Sequence, residues 1–228
     1  MLKRVLGLLG MMVLSAAGAT GGTISGRVSA APPTGAPGAL AGGSGYDSRR
    51  YKFVEKIDYD KLRDFVVYID QPLTELSPRA PVSTGVTTQK DANFEPHVLP
   101  IAVGTTVRWP NEDDIYHNVF STSDAMPFDL DYYKKERVPE LVFKTVGRVD
   151  VFCAIHTKMH CIILVLPNPF FVKADDKGRY VLKNVPAGTY RLLAWHERLP
   201  SLLKEVVVPA EGDVKVDFQL SMAVLPKY

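Results

Sequence analysis

From Pro96 onward the chain is a succession of short apolar runs cut by turn signals: "HVLPIAVG", "TTVRWPNEDD", "HNVFSTS", "LVFKTVG", "RVDVFCAIH" and "CIILVLPNP". Runs of this length, rich in β-branched and aromatic residues, read as strands, and no long stretch carries the 3.6-residue period of an amphipathic helix. The pattern predicts an all-β chain built as a sandwich or barrel, with Gly104 and Gly147 at hairpin turns. "FVVYID" (Phe65 to Asp70) reads as a further buried strand, and "EKIDYDKLRDF" as one short helical turn. The stretch from Phe170 to Leu220 repeats the strand pattern, with turns at "DDKG" and "PAG". Four or five strands fit there, which is thin for a free-standing sandwich. "ISGRVS" and "FVVYID", far upstream, are the candidates to complete it.

The amino end reads differently. "MLKRVLGLLGMMVLSAAGA" has a basic start at Lys3 and Arg4, an apolar run from Val5 to Leu14 and small residues before a cut expected after Ala19. That is the pattern of a secretory signal peptide, too short for a membrane span. A periplasmic or secreted protein, soluble after cleavage and without an integral membrane segment, is therefore expected. Losing Lys3 and Arg4 takes the 27 basic residues to 25, against 25 acidic ones. A neutral mature chain has no electrostatic reason to bind nucleic acid or an anionic membrane. "APPTGAPGALAGGSGYDS", residues 31–48, holds almost nothing that forms a core and reads as a linker.

One stretch concentrates chemistry. "VFCAIHTKMHC" (Val151 to Cys161) contains both cysteines of the chain and two of its five histidines. Cys153, His156, Met159, His160 and Cys161 fall where one strand ends and "CIILVL" begins the next. His117, in "NEDDIYHNVFS", stands 36 residues before Cys153 at the edge of another strand. One thiolate and two imidazoles with a weak further donor make a trigonal site suited to copper in electron transfer. Zinc is the rival for such ligands, although its structural sites usually draw paired ligands from two knuckles. A Cys153 to Cys161 disulfide is the plain alternative for an exported chain with two cysteines. His97 and His196 read as strand-end histidines with local hydrogen bonds. No nucleophile motif, phosphate loop or metalloprotease spacing suggests an enzyme.

"YHNVFS" followed by "VFCAIHTKMHCIILV" resembles the cupredoxins, the type 1 blue-copper family, in particular its pseudoazurin and plastocyanin branch. The likeness runs from about Asn93 to Pro167 and includes "PIAVGTTVRWPNEDD" before the histidine. It implies a Greek-key β-sandwich holding one mononuclear copper per chain, with His117, Cys153 and His156 as metal ligands. It also implies that Asn118 ties the two ligand loops together, and that a redox protein is the partner. The family's axial methionine falls eight residues after its cysteine, and here that place is Cys161. Met159, His160 and Cys161 are thus the three axial candidates.

"ADDKGRYVLKNVPAGTYRLLAWHE" resembles a second family, the transthyretin-like or carboxypeptidase regulatory-like β-sandwich, whose opening strands are similar to "TISGRVS" and "FVVYID". Together the resemblances imply a signal peptide at 1–19, then opening strands (23–29 and 64–70) and the linker within 20–84. A cupredoxin domain at 85–167 and a smaller sandwich at 168–221 follow, as in proteins labelled methylamine utilisation proteins. The expected activity is electron transfer by an exported copper protein that is not an enzyme. Copper storage without a redox partner, or a metal-free envelope module with the disulfide, are the alternatives.

Overall fold

The computed structural model describes residues 21–32, 57–73 and 83–222, so the expected signal peptide and all but the start of the expected linker lie outside the described residues. Within them the chain is all-β, with one 3-10 turn at Tyr59–Lys61 where a helical turn is expected.

The middle of the chain builds two facing sheets. One has the order β6 (Val98–Ala102), β12 (His160–Leu166), β11 (Gly147–Phe152), β8 (His117–Ser121), β9 (Phe128–Tyr133). The other has β10 (Glu140–Val142), β7 (Thr106–Arg108) and β3 (Thr84–Val86). A small ribbon of β4 (Thr88–Lys90) and β5 (Asn93–Glu95) lies alongside. The core between them holds Phe94, Val107, Trp109, Val119, Phe143, Val149, Val151 and Ile163, all buried. This is the all-β sandwich that the strand spacing predicts, in the place where the resemblance implies a cupredoxin-like one.

Gly104 and Gly147 are corners rather than hairpin turns. Gly104 sits at φ +89° between β6 and β7, which do not pair: β6 lies along β12, and β7 lies between β10 and β3. Gly147 opens β11 after β10, again crossing from one sheet to the other. A sandwich needs such crossings wherever the chain changes layer, and glycine meets the positive φ at Gly104 without steric cost.

The ends of the chain build a second pair of sheets. In one, β1 (Gly22–Ala30) runs antiparallel to β14 (Arg179–Val185) and parallel to β17 (Asp213–Lys215) and β18 (Phe218–Leu220). In the other, β2 (Val66–Ile69) lies between β13 (Phe171–Lys173) and β15 (Gly188–His196), with β16 (Leu199–Val208) at the edge. Ile24, Val28, Val67, Ile69, Leu182, Leu192, Val206 and Phe218 share the core between them. The two upstream runs named as candidates are therefore the strands that complete the carboxy-terminal sheets, which contribute six strands of their own.

β12 joins the two halves. Its side chains alternate between faces, as in any strand. Cys161, Ile163 and Val165 face the first core, whereas Ile162, Leu164 and Leu166 pack with Val66 and Val98 against Tyr68, Phe171 and Trp195. Burial on both faces is why "CIILVL" is unbroken by polar residues, since neither face meets water.

Candidate metal centre

The order β12-β11-β8 places the end of β11 beside the start of β8. Cys153 follows β11 directly, and antiparallel pairing of Phe152 with Phe120 carries His117 alongside it. The loop after Cys153 is closed by two backbone bonds: Cys153 N–H donates to the Met159 carbonyl at 3.2 Å, and Met159 N–H to the His156 carbonyl at 2.9 Å. This tight turn brings His156 back over the thiol.

Three donor atoms converge there. His117 Nδ1 lies 3.1 Å from His156 Nδ1, and Cys153 Sγ lies 3.9 Å from the first and 3.6 Å from the second. The circle through three atoms so spaced has a radius of about 2.1 Å, within the 2.0–2.3 Å range of metal bonds to imidazole nitrogen and thiolate sulfur. A single ion in their plane would touch all three. His117 is fully buried and Cys153 nearly so, while His156 is half-buried and stands next to exposed Ile155.

The orientation of His117 is fixed from behind. Its Nε2 lies 2.7 Å from Oδ2 of Asp113, so the ring donates there and turns the Nδ1 lone pair toward Cys153 and His156. Asp113 is itself gripped by the backbone N–H groups of Asp91 at 2.8 Å and Ala92 at 3.0 Å. Burial works against its charged form, yet these amides and the His117 ring outweigh burial and hold the carboxyl below its ordinary value. Asn111 braces the same loop: its side-chain oxygen accepts from Asp113 N–H, and its amide donates to the carbonyls of Ile115 and Tyr133. Asp113 is a site residue that the sequence reading passes over. Its signal is an acid four residues before a ligand-type histidine in "NEDDIYH". Asp113→Ala should weaken metal binding about 10–100-fold, the usual cost of losing a carboxylate that orients a ligand histidine. Competition against a chelator of known affinity measures it, and an unchanged affinity would deny Asp113 that role.

The other expected residues divide. Met159 is buried in the same core cluster as Cys153. Cys161 is buried there too, but it does not join the convergent group, and both cysteines are free thiols. Burial, with the Asp150 charge nearby, pushes the Cys161 thiol well above its ordinary pKa, so it stays protonated and a poor ligand. His160 points the other way, with Nε2 3.0 Å from Asp150 Oδ1 and its ring stacked on Phe152. Asn118 does not hydrogen-bond to the Cys153 loop: its amide donates to Asp129 Oδ1 at 2.7 Å, and its own oxygen is buried without a partner among the described residues. β9, the neighbour that Asn118 reaches, is the element that takes the bond the resemblance assigns to the other loop. His196 behaves as expected, accepting from Arg198 N–H two residues on. His97 does not: its ring reaches Glu197, 100 residues away.

Residues 80–165 match the family described as copper binding proteins, plastocyanin/azurin family. This part of the chain is a cupredoxin domain. Copper is the ion of that family, and the donors His117, Cys153 and His156 suit it. No curated protein matches the chain. Among solved structures, a purple cupredoxin from Nitrosopumilus maritimus is 24% identical over 36% of this chain and 98% of its own, with a TM-score of 0.32. A reduced amicyanin variant is 24% identical over 43% of this chain and 97% of its own, with a TM-score of 0.34. A copper-containing nitrite reductase from Thermus scotoductus is 26% identical over 42% of this chain, with a TM-score of 0.35, and the matched part spans only 25% of that enzyme. Among the described residues no helix is long and apolar enough to cross a membrane.

Proposed function

We propose that the chain is an exported electron-transfer protein with a type 1-like mononuclear copper site in which His117, Cys153 and His156 are the ligands and Met159 is the weak axial donor. The observation that carries this reading is the spacing of the three donor atoms, which suits one ion lying in their plane. A trigonal set of two imidazoles and a thiolate with a weak further donor favours copper over the tetrahedral sites that zinc prefers. Met159 is preferred as the fourth donor because it is buried with Cys153, whereas His160 is held by Asp150 and Cys161 stays a thiol.

When bound, copper supplies a one-electron couple. The protein's part is to hold the donors still. His117 is locked by Asp113, and Cys153 is bonded through its backbone to Met159, so little has to move when charge changes. His156 is the ligand nearest solvent, and Ile155 beside it in the chain, like Ile115 and Tyr116 just before His117, is about half exposed. An apolar rim beside a half-buried ligand suits brief docking of a redox partner.

Export follows from the basic start and apolar run of residues 1–19. The division into a cupredoxin domain at 85–167 and a transthyretin-like sandwich made of β1, β2 and β13 to β18 belongs to the same reading. It is supported by two separate cores, one within each pair of sheets.

The test is a Cu(II) titration of the reduced chain, followed by visible absorption and electron paramagnetic resonance. One equivalent should give an intense thiolate-to-copper band with narrow hyperfine splitting, bleached and restored by one-electron reductant and oxidant. A colourless copper complex with both thiols intact would overturn the reading.

A further inference from the structure

A second set of donors lies on the opposite face of β12 from the first. Alternation turns Cys161 into the cupredoxin core and His160 away from it. There His160 meets His97, which precedes β6, and Glu197, in the turn from β15 to β16. One ligand atom from each lies within 4.8 Å of the others.

The hydrogen bonds decide where the lone pairs point. His97 Nδ1 lies 3.2 Å from the His160 carbonyl oxygen, which can only accept, so Nδ1 carries the proton. In the neutral ring Nε2 then holds a lone pair, and it lies 3.0 Å from Oε2 of Glu197, an acceptor-only carboxylate. Two lone pairs at that distance repel unless a proton or a metal cation sits against them. His160 Nε2 lies 3.0 Å from Asp150 Oδ1, the carboxylate contact that steadies metal-binding imidazoles, which leaves the lone pair of His160 on Nδ1. Asp150 is already neutralised by Arg148 at 2.7 Å, so Glu197 is the carboxylate with charge to offer. The side chains of His97, Glu197 and His160 are 37%, 23% and 25% exposed, open enough for an ion to enter and sheltered enough to hold it.

We infer that His97, His160 and Glu197 bind a divalent transition-metal ion of the zinc class. Two imidazoles and one carboxylate are a zinc donor set, with a fourth position left to water. The ion joins the start of β12 to the β15 to β16 turn, and so ties the cupredoxin sheet to the carboxy-terminal sheets. Because His160 stands between Met159 and Cys161, the same ion pins the far end of the Cys153 loop. The inference is independent of the copper reading. Its rival is a simple proton clasp, in which a charged His97 satisfies Glu197 with no metal.

The experiment is calorimetric titration of Zn²⁺ at pH 7.5 into the full chain carrying Cys153→Ser, which takes the thiolate out of the first site. Zn²⁺ should bind with a stoichiometry that falls by one equivalent, or with at least tenfold weaker affinity, when His97→Gln or Glu197→Gln is added. Glu197 lies in a turn, so that variant tests the site even if His97→Gln folds poorly. Zn²⁺ should also raise the melting temperature of the parent chain and not that of the Glu197→Gln chain. Equal zinc binding with and without these substitutions, or no zinc binding at all, would leave only the proton clasp and overturn the inference.

Discussion

Cys153→Ser should abolish the thiolate-to-copper absorption of the copper-loaded chain, while Cys161→Ala should leave it in place. The two residues are eight apart, both cysteines and both buried, and the family resemblance makes Cys153 the thiolate ligand while leaving Cys161 an axial candidate. The structure separates them by surroundings. Cys153 Sγ faces two imidazole nitrogens at 3.6 and 3.9 Å, and ligand charge transfer needs that sulfur as thiolate. Cys161 sits at the pairing position opposite Val151, inside the sheet, where burial keeps the thiol protonated. A serine hydroxyl at 153 stays protonated at neutral pH and contributes no intense visible band, so the expected loss is complete rather than graded. Copper still bound through His117 and His156 would show the wide hyperfine splitting of an ordinary cupric site. The absorption spectrum and paramagnetic resonance of both variants decide the matter. Colour surviving in Cys153→Ser, or lost in a folded Cys161→Ala, would move the thiolate ligand to Cys161.

What could be read in advance followed from local pattern. The strands β6, β7, β8, β11 and β12 coincide with apolar runs, because each buries at least one face and β12 buries both. β9 did not stand out: "FDLDYY" loses its alternation where the register shifts between Asn118 and Phe120 and where Asp131 takes φ +56°, so Tyr132 is exposed out of turn. A bulge spoils a periodicity argument, since one extra residue exchanges the faces. Cys153 and His156 were legible together because short spacing within a loop is a local property, whereas His117, 36 residues upstream, was reached through the resemblance of "YHNVFS" to the cupredoxins. The partner of His97 was not, because Glu197 lies 100 residues on and only the pairing of β2 with β15, and of β6 with β12, brings the two turns together. Asp113 falls between these cases: near enough in sequence to be noticed, but given meaning only by Asp91 and Ala92, whose left-handed turn at φ +51° and +54° aims two N–H groups at its carboxylate.

Trp109→Ala should lower stability by about 3–5 kcal/mol, and Trp109→Phe by far less. The indole is fully buried beneath the loop that carries Asn111, Asp113 and His117. It meets Phe94 edge-on at 6.2 Å and Phe128 at 6.0 Å, so truncation to alanine empties a space these rings cannot fill without leaving their own neighbours. The backbone at this position needs no help from the side chain. Its N–H donates to the Pro139 carbonyl at 3.0 Å, and its carbonyl accepts from Tyr133 Oη at 2.8 Å. The cost is therefore one of packing. Phenylalanine keeps most of that packing and also removes the indole N–H, which is buried without a hydrogen-bond partner among the described residues. Deleting an unsatisfied donor recovers part of what the smaller ring loses, which brings the expected change for Trp109→Phe below about 1.5 kcal/mol. Thermal unfolding of the metal-free chains should show the alanine variant melting about 10–15 °C lower. The copper-loaded chains should keep the parent spectrum below that melt, because Asp113 and not Trp109 orients His117. If phenylalanine costs as much as alanine, the indole nitrogen makes a bond that matters, and the packing account of this position fails.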